Sequence, residues 1–480
     1  MEEFDLVVIG AGSGNALIGD GFAGRRVALV DEGVPFGGTC LNKGCIPSKM
    51  LAHTAHAAQA IRRAGDLGLA VAAPTVDWPA VRERVFSRLD PIAEAGEASR
   101  AASDSVTLVR GHARFTDPQT VVVELLAGGT RVLRSAAFVI ATGARPVIPD
   151  IKGLDDPKLA GKVYTSDDIM RVERLPKSLA IMGGGVVACE FADIFAGLGV
   201  QVTVVQRSGR LLRRADEAVS EALTRELAQR MALRLNQDLV EVEASGRGVT
   251  LYTRDANDIE YTYSAEALLL AIGRRPNTDN LGAEAAGLAL KPNGQLVVDA
   301  CLRTSQPHIW ALGDVDSPEP LKHVANHEAR VVRANLEDPK HPAEAGGRPI
   351  PWALFTTPQV AAVGATEQAL AAAGTPYAVG VQHYRDVAYG WALADSSEDH
   401  FAKVLADPAT GRLLGAHVIG PEAALLLQPL VTAMTFGIDA QTAARGQYWP
   451  HPGLQEVVEN ALLKLELEAP KKKRHLFARR

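Results

Sequence analysis

Two glycine-rich turns, each placed directly after a short apolar strand, are the features that most constrain how this chain can fold. The first turn follows the apolar run Phe4–Ile9 and carries three glycines, Gly10, Gly12 and Gly14. A helix-like stretch comes next, and then a second strand, Val27–Val30, which ends at Asp31. This succession of strand, turn, helix and strand is what a dinucleotide-binding unit requires.

The residue types in the first turn fit the binding of a pyrophosphate. Gly10 permits the tight turn, Gly12 lets the backbone approach the phosphates, and the free N–H groups of the next helix point toward them. Asp31 lies 21 residues after Gly10, close to the spacing of an acid that binds a ribose hydroxyl. Asn15 departs from the motif at its third glycine position. A glycine-rich turn of an unrelated α/β protein is the alternative, but strand, helix and acid together favour a dinucleotide.

The second turn differs from the first in the residues that follow it. Gly183, Gly185 and Ala188 have the spacing G-x-G-x-x-A, and the next strand ends at Gln206 and Arg207, where an acid would hold a ribose 2′-hydroxyl. Three more arginines follow, Arg210, Arg213 and Arg214. Arginine pairs with a 2′-phosphate that a carboxylate would repel, so this unit is predicted to bind NADPH rather than NADH. A solvated basic surface is the alternative.

The order of these units along 480 residues predicts about three domains. Similar strands close both units, and a third such strand, Ile309–Leu312, ends at Gly313 and Asp314, so the second unit is predicted to be inserted into the first. The fold class is α/β, with two Rossmann-like units and a C-terminal α+β domain. We place the first unit at 1–148 and 276–346, the second at 149–275, the C-terminal domain at 347–468 and a basic tail, predicted to be disordered, at 469–480.

The composition excludes several classes of protein. A hydrophobic fraction of 47% and a charged fraction of 22% are those of an ordered globular chain, and a net charge of −6 gives no argument for binding nucleic acid. The most apolar stretch, Ala423 to Ile438, contains Gln428 and Pro429 and predicts a buried helix rather than a membrane span. The acidic N-terminus lacks the features of a secretory signal, so we expect a cytoplasmic protein without a membrane partner.

Only two of the four cysteines, Cys40 and Cys45, lie close together in the sequence. Four cysteines are too few for a disulfide framework, and a close pair in a reducing compartment is more typical of catalysis than of structure. The two thiols can approach closely enough for a disulfide if a helix begins there, and the helix N-terminus and a nearby lysine would favour a thiolate. Because no further Cys or His stands at the short spacing of a zinc site, we predict a dithiol–disulfide exchange centre and no metal site.

A third group of residues, His451-Pro452 with Glu456, lies near the end of the folded chain. A thiolate leaving group needs a proton, which histidine can supply near neutral pH, and a carboxylate can orient the histidine ring. On its own a His-Pro pair is more often a structural turn. The catalytic interpretation of His451 therefore depends on the cysteine pair.

Seven motifs occur in the order and spacing of one protein family. They are GGTCLNKGCIPSK at 37–49, ATGARPVIP at 141–149, GGGVVACEFA at 183–192, AIGRRPN at 271–277, WALGDV at 310–315, FTTPQVAAVG at 355–364 and HPGLQE at 451–456. By these motifs the chain resembles the class I pyridine nucleotide–disulfide oxidoreductases over about residues 3 to 467. The motif with the two cysteines is the most specific of the seven.

The resemblance implies that the chain binds FAD in its first unit and NADPH in its second. The positions that match FAD-binding residues are Gly10, Gly12, Gly14, Asp31, Gly38, Thr39, Lys49, Ala113, Thr142, Gly143, Asp314 and Lys322. The positions that match NADPH-binding residues are Gly183, Gly185, Val186, Glu190, Arg207, Arg213 and Gly273. Arg207 and Arg213 stand where members of the family that use NADPH grip its 2′-phosphate.

The resemblance also implies the catalytic roles and a homodimer. The matching catalytic positions are Cys40, Cys45, Lys49, Glu190, His451 and Glu456. Cys40 would attack the substrate disulfide, Cys45 would lie nearest the flavin, and Lys49 would pair with Glu190 beside it. His451, oriented by Glu456, would protonate the departing thiol. In this family the histidine acts on the cysteine pair of the other subunit, so each active site is expected to be shared between two chains joined by their C-terminal domains.

Within the family, four stretches resemble the mycothione reductases: GAGSGN at 10–15, PLKHVANHEARVV at 320–332, DVAYGWA at 386–392 and ARGQYWPHPGLQEVVENALL at 444–463. The first of them accounts for Asn15, and the resemblance implies mycothiol disulfide as the substrate. One alternative is a glutathione reductase-like enzyme. Another is a dihydrolipoamide dehydrogenase, which would use NAD and carry an acid near Gln206. A flavoprotein that serves only as a binding subunit would be expected to have lost Cys40, Cys45 or His451.

Overall fold

The computed structural model describes residues 1–22 and 24–468, so the predicted basic tail at 469–480 lies outside the described residues. The strands are β1 Glu2–Phe4, β2 Leu6–Ile9, β3 Val27–Asp31, β4 Val106–Asp117, β5 Thr120–Leu125, β6 Thr130–Ser135, β7 Phe138–Ile140, β8 Ala144–Pro146, β9 Val163–Thr165, β10 Ser178–Met182, β11 Gln201–Gln206, β12 Ala232–Leu235, β13 Gln237–Ser245, β14 Gly248–Asp255, β15 Glu260–Ala265, β16 Ala267–Leu270, β17 Arg274–Pro276, β18 Ile309–Ala311, β19 Pro351–Leu354, β20 Gln359–Gly364, β21 Ala378–His383, β22 Phe401–Ala406 and β23 Leu413–Gly420. The α-helices are α1 Thr39–Asn42, α2 Cys45–Arg62, α3 Trp78–Ala101, α4 Val186–Gly197, α5 Glu217–Ala228, α6 Lys322–Glu337, α7 Glu367–Ala372, α8 Ala388–Ala392, α9 Ala423–Leu426, α10 Gln428–Phe436, α11 Ala440–Arg445 and α12 Glu456–Leu463.

The first sheet has eight strands in the order β1-β6-β5-β4-β3-β2-β7-β18. Strands β4, β3, β2, β7 and β18 run parallel, and every residue of β2, β3, β7 and β18 is buried. The four buried strands are almost wholly apolar, because both faces of a parallel sheet are covered. Strand β18 comes from residues beyond 300, so the chain returns to this sheet after it has formed the second one.

The second sheet is parallel throughout, in the order β12-β11-β10-β16-β9, and the antiparallel sheet β13-β14-β15 accompanies it. The chain passes between the two units at β8 and β17, which pair with each other in antiparallel fashion. The predicted fold class, with one dinucleotide-binding unit inserted into another, is therefore confirmed. The predicted domain boundary at 275/276 falls within β17, and we keep the four domain ranges as a proposal.

The C-terminal unit is an antiparallel sheet in the order β19-β20-β23-β22-β21, packed against α9 to α12. The prediction of one buried helix over Ala423–Ile438 is wrong. Two helices, α9 and α10, share this stretch, and the side chains of Leu425 and Phe436 are 70% and 75% exposed. Pro429 lies in the first turn of α10, where proline is tolerated because its missing N–H has no partner to lose.

Helices α2 and α4 pack against each other where the two dinucleotide-binding units meet. Leu51 and Ala55 of α2 share one buried apolar cluster with Ala188 and Ala192 of α4. At the far end of the contact, Arg62 Nη1 donates a hydrogen bond of 2.6 Å to the last carbonyl of α4. Because α2 begins at a cysteine and α4 begins at the second glycine turn, this packing brings the cysteine pair close to the second unit.

Candidate active site

The first glycine of each turn is required by the close approach of a neighbouring strand end. Gly10 has a φ of +107°, and a Cβ placed there would lie 2.2 Å from the carbonyl oxygen of Ala141. Gly183 has a φ of +120°, and its Cβ would lie 2.4 Å from the carbonyl oxygen of Ala271. An L side chain fits neither the backbone conformation nor the space, so both positions need glycine. The same local geometry is thus built twice in the chain.

The next glycine of each motif leaves room for a ligand. A Cβ on Gly12 would meet only the Cα of Gly38, at 3.6 Å, and a Cβ on Gly185 would meet nothing within 4 Å. Gly185 is also the N-cap of α4, so the first N–H groups of α4 have no partner within the helix. The second turn therefore offers backbone donors without an intervening side chain, which is the geometry that binds phosphate.

The helix expected after the first turn is replaced by two short 3₁₀ helices, Gly14–Leu17 and Asp20–Phe22. Glycine is unfavourable in an α-helix by roughly 1 kcal/mol relative to alanine, and glycines recur through this stretch. Arg100, at the end of α3, supports the turn instead. Its Nε donates to Asn15 Oδ1 at 2.6 Å, and its Nη2 donates to the carbonyls of Asn15 and Ile18 at 3.1 and 3.3 Å. The departure at Asn15 thus gives Arg100 a side-chain acceptor that glycine would lack.

A cavity of about 250 Å³ opens beside the first turn, and four of the predicted FAD-binding positions line it, Gly10, Asp31, Ala113 and Thr142. The carboxylate of Asp31 is buried and already has partners. Its Oδ1 accepts from the N–H of Ala11 at 2.9 Å, and its Oδ2 accepts from Arg110 Nη1 at 2.8 Å. Burial raises the pKa of Asp31, although these hydrogen bonds oppose that effect. Asp31 therefore mainly holds the turn and the strand ends together.

Glu32, the residue after Asp31, is a second acid that lines this cavity, and the sequence analysis did not predict it. Glu32 lines the cavity, and its side chain is 58% exposed. Its Oε2 lies 2.8 Å from His112 Nδ1, and the other ring nitrogen of His112 lies 3.3 Å from the carbonyl of Asn280. Burial would lower the pKa of His112, but these two acceptors outweigh it and raise that pKa. Successive side chains along a strand point to opposite faces, so two adjacent acids at a strand end point in different directions. This alternation could have identified Glu32 from the sequence.

Four more of the positions predicted to bind FAD lie around the same turn. Lys322, the first residue of α6, donates from its Nζ to Ser13 Oγ in the turn at 2.9 Å. Burial raises the pKa of Asp314, and the charges of Arg274 and Lys322 oppose that shift. Gly38 lies against Gly12, and Gly143 accepts a hydrogen bond of 3.0 Å from the N–H of Asn277. The structure thus brings together residues from three distant parts of the sequence.

Arginines surround the second turn, as the sequence indicated. Arg207 and Arg213 are exposed, and within residues 1–22 and 24–468 neither has a carboxylate within 4 Å. Arg210 differs, because it forms a close ion pair with Glu217. Val186 and Gly273 lie on the open side of the turn, where Val186 is 42% exposed and a Cβ on Gly273 would meet nothing. Arg207 and Arg213 are therefore free to bind an anion.

The two cysteines lie at the starts of α1 and α2, with Cys45 as the first residue of α2. Their thiols differ in acidity. The neighbouring Cys40 thiol, with help from the charge of Lys49, lowers the pKa of Cys45 to about 7 against the effect of burial. The neighbouring Cys45, together with burial, raises the pKa of Cys40. The reduced pair therefore holds its first negative charge on Cys45, while Cys40 needs a base from elsewhere to ionise.

Replacing Cys40 with Ala should raise the pKa of Cys45 by about one to two units, because a hydrogen bond to a charged group stabilises it by about 1.5–3 kcal/mol. The matched variant Cys40→Ser retains an O–H donor and should keep the pKa of Cys45 near 7. The pH dependence of Cys45 alkylation by iodoacetamide in the reduced enzyme measures both values. An unchanged midpoint in Cys40→Ala would show that Cys40 does not donate to Cys45.

One turn further along α2, Lys49 forms an ion pair with Glu190 of α4. The Lys49 Nζ lies 2.5 and 2.6 Å from the two carboxylate oxygens of Glu190, which is only 7% exposed. Glu190 Oε1 also accepts from the N–H of Phe355 at 3.0 Å, and Lys49 lies 5.0 Å from the centre of the Phe355 ring. The pairing implied by the resemblance is therefore present, and it joins the first unit, the second unit and the start of the C-terminal unit.

His451 and Glu456 form a second, separate group. His451 Nδ1 lies 2.8 Å from Glu456 Oε1, and Glu456 Oε2 accepts from the N–H of Gly453 at 3.1 Å. The hydrogen bond from His451 is the main cause that lowers the pKa of Glu456. The His451 side chain is 71% exposed, and among the described residues no hydrogen bond or ion pair joins it to Cys40 or Cys45. The outer face of its ring is thus open to a second molecule.

Within residues 1–22 and 24–468, no group of three or more His, Cys, Asp or Glu side chains could hold a metal ion. No helix in the same part of the chain is long and apolar enough to cross a membrane.

Comparison with known proteins identifies the class to which this fold and site belong. The profile of the family described as pyridine nucleotide-disulphide oxidoreductase matches residues 4–329, and that of its dimerisation domain matches residues 350–462. The chain belongs to this pyridine nucleotide–disulphide oxidoreductase family. It is accordingly a flavoprotein disulfide reductase that uses FAD and NADPH.

Particular relatives narrow the comparison. The chain is 44% identical to mycothione reductase of Mycobacterium tuberculosis, over 97% of this chain and 100% of that protein. It is 32% identical to dihydrolipoyl dehydrogenase of Chlamydia muridarum, over 97% of each. Among solved structures, the HOCl-induced flavoprotein disulfide reductase RclA from Escherichia coli aligns with a TM-score of 0.82 and 26% identity, covering 96% of this chain and 99% of that one.

Proposed function

We propose that this chain is an NADPH-dependent reductase of mycothiol disulfide. The observation that carries the proposal is its 44% identity to a mycothione reductase across nearly the whole of both chains, against 32% for a dihydrolipoyl dehydrogenase. The second turn supports NADPH as the cofactor, because Gln206 and Arg207 stand where an enzyme that uses NAD is expected to have an acid.

The residues present fit both cofactors. Open space above Gly12 and Gly185 leaves room for two pyrophosphates, where any side chain would intrude. FAD would lie along the first turn and the cavity beside it, where Asp31, with Glu32 next to it, would accept from a ribose hydroxyl. The other FAD positions are Gly10, Gly14, Gly38, Thr39, Lys49, Ala113, Thr142, Gly143, Asp314 and Lys322. NADPH would lie on Gly183, Gly185, Val186, Glu190 and Gly273, with its 2′-phosphate held by Arg207 and Arg213. Bound FAD supplies the two-electron link between NADPH and the cysteine pair.

The cysteine pair would then perform two thiol–disulfide exchanges. The Cys40 thiolate attacks one sulfur of the substrate, the substrate S–S bond breaks, and the first thiol leaves with a proton from His451. The Cys45 thiolate next attacks the Cys40 sulfur of the mixed disulfide, which releases the second thiol and forms the Cys40–Cys45 disulfide. The unequal acidity of the two thiols supports this order, because the raised pKa of Cys40 calls for a base that its own surroundings lack.

We infer that this base comes from a second copy of the chain. The exposed outer face of His451, its separation from the cysteines and the exposed apolar side chains of the C-terminal unit support this arrangement. Leu425, Phe436 and Tyr448 are 70%, 75% and 102% exposed, and burial in a homodimer would remove them from water. The partner subunit's His451 and its Glu456 would then complete the active site.

The choice of nicotinamide cofactor can be tested at Arg207. We expect Arg207→Glu to weaken NADPH binding by about 10²-fold and to change NADH binding little, because the charge-assisted hydrogen bond is replaced by repulsion. Arg247→Glu, in the exposed turn between β13 and β14, makes the same change in net charge away from the second glycine turn and serves as the control. Equal losses for the two cofactors in Arg207→Glu would show that Arg207 does not bind the 2′-phosphate.

The proposed substrate is tested by NADPH oxidation with three disulfides at equal concentration, mycothiol disulfide, glutathione disulfide and lipoamide. Rapid turnover with mycothiol disulfide alone is the expected result. Turnover with glutathione disulfide instead would support the cysteine chemistry but would contradict mycothiol disulfide as the substrate. Turnover with lipoamide and NAD-linked activity would point to a dihydrolipoamide dehydrogenase.

A further inference from the structure

Residues 212–215 form a turn that carries Arg213 and Arg214, and we call it the arginine turn. Hydrogen bonds fix it at both ends, and those at one end come from the C-terminal unit. Arg213 and Arg214 lie between Leu212 and Ala215, and the N–H of Ala215 donates to the carbonyl of Leu212 at 2.7 Å. The N–H of Leu212 in turn donates to the carbonyl of Gly184 at 2.8 Å, which ties the turn to the glycine motif. The position of Arg213 relative to the nucleotide site therefore depends on this anchor at Gly184 and on a second anchor at the other end of the turn.

The other anchor is a group of polar side chains from the C-terminal unit. Gln368 Nε2 donates to the carbonyl of Ala215 at 2.8 Å, and Gln368 Oε1 accepts from the N–H of Glu217 at 3.3 Å. Between these residues lies Asp216, the N-cap of α5, whose carboxylate is fully buried. Asp216 Oδ1 accepts from Lys403 Nζ at 2.7 Å, and Asp216 Oδ2 accepts from the N–H of Glu367 at 3.0 Å.

Asp216 and Lys403 are both buried, and their charges are paired with each other. Lys403 is 5% exposed and also lies 2.6 Å from Glu367 Oε2. His417, also buried, has its Nε2 4.0 Å from Asp216 Oδ2. Burial alone would raise the pKa of Asp216, but its bond to Lys403 and the other nearby donors lower it. A buried ion pair of this kind contributes more to the choice of one geometry than to net stability, so its effect should be sought in the position of the turn.

We propose that Lys403 and Gln368 of the C-terminal unit are positioning residues for NADPH selectivity. Lys403 acts through Asp216, and Gln368 acts through Ala215, to fix the turn that carries Arg213. The inference rests on the proposed binding of the 2′-phosphate by Arg213. It adds that the unit responsible for dimerisation also sets how well the enzyme distinguishes NADPH from NADH. Neither residue would touch the cofactor.

The test is equilibrium titration of the oxidised holoenzyme with NADP⁺ and with NAD⁺. The double variant Lys403→Met/Asp216→Asn removes both buried charges and keeps an N-cap residue, and Gln368→Leu tests the same anchor without touching a charge. Each should weaken NADP⁺ binding by about tenfold, the loss of one well-placed charged hydrogen bond, and leave NAD⁺ binding within about twofold. If the double variant does not fold, Gln368→Leu alone decides.

Arg225→Ala provides the matched control. Arg225 joins the same helix α5 to the same C-terminal unit, at 2.6 Å from Asp399, but at the end of α5 away from the arginine turn. A general loosening of the contact would therefore affect this variant too, whereas the proposal predicts unchanged binding of both nucleotides. Equal losses of NADP⁺ and NAD⁺ in the Lys403 and Gln368 variants, or no loss of either, would overturn the proposal.

Arg213→Gln separates the failure of this inference from the failure of its premise. If Arg213→Gln leaves the ratio of NADP⁺ to NAD⁺ affinity unchanged, the assignment of Arg213 is wrong and the inference is overturned with it. If Arg213→Gln lowers that ratio while the Lys403 and Gln368 variants do not, the assignment stands and the positioning role is overturned. A lowered ratio in all three variants supports both.

Discussion

Cys40→Ser should abolish disulfide reduction, with a loss in kcat/KM of at least about 10³-fold, because a hydroxyl of ordinary pKa cannot replace a thiolate nucleophile. Reduction of the bound flavin by NADPH should remain fast, since Cys40 acts after that step in the proposed order. Stopped-flow absorbance separates the two steps in one experiment. A protein that serves only as a binding subunit would lose nothing in this variant.

Cys301→Ser is the matched control for this experiment. It makes the same change of one atom at a thiol that is partly exposed and lies far from Cys40 in the sequence. Its turnover should match that of the unaltered enzyme. Substantial turnover in Cys40→Ser would contradict the exchange mechanism, whatever the substrate proves to be.

His451→Ala should slow the release of the first thiol by about 10²- to 10⁴-fold, the usual contribution of a positioned general acid or base. Flavin reduction by NADPH should be unaffected. Glu456→Gln should produce a smaller loss, because it leaves the histidine in place and removes only its charged acceptor at 2.8 Å. Slow flavin reduction in His451→Ala, with rapid thiol release, would show that the assigned role is wrong.

Mixed dimers test whether the active site is shared. Neither Cys40→Ser nor His451→Ala homodimers contain an intact site, but a mixed dimer joins the intact cysteines of one chain to the intact histidine of the other. Random reassortment of equal amounts should therefore restore about a quarter of the original activity. If His451 served the cysteines of its own chain, the mixed dimer would have no intact site and the mixture would stay inactive.

Much of the fold could be predicted from local sequence because its signals are local. Buried parallel strands are short apolar runs, and a tight turn after a strand demands glycine, so Gly10 and Gly183 mark both dinucleotide-binding units. The insertion of one unit into the other also followed from the order of similar strands. The prediction of a helix after the first turn was wrong. It relied on the general succession of strand, turn, helix and strand and gave too little weight to the poor helix propensity of the glycines in this stretch.

Local sequence was less informative about which side chains remain free to bind. Asp31 has the expected spacing, yet Ala11 and Arg110 occupy its carboxylate, and the neighbouring Glu32 faces the cavity. Among the arginines after β11, Arg210 is paired with Glu217, whereas Arg207 and Arg213 are not paired within the described part of the chain. The partner Arg110 lies 79 residues from Asp31, whereas Glu217 lies only seven residues from Arg210, and in both cases the folded chain decides that the pair forms.

By itself, the sequence determined the two nucleotide-binding units, the cysteine pair and the order of the domains, since each depends on residues close together along the chain. Only the tertiary structure decided how these parts meet. The contact between Lys49 and Glu190 spans 141 residues, and that between Asp216 and Lys403 spans 187. Such pairs form where packing of apolar surfaces brings distant segments together and buries their charges. Burial makes an unpaired charge costly, so the packed structure selects which acids and bases pair and which stay free.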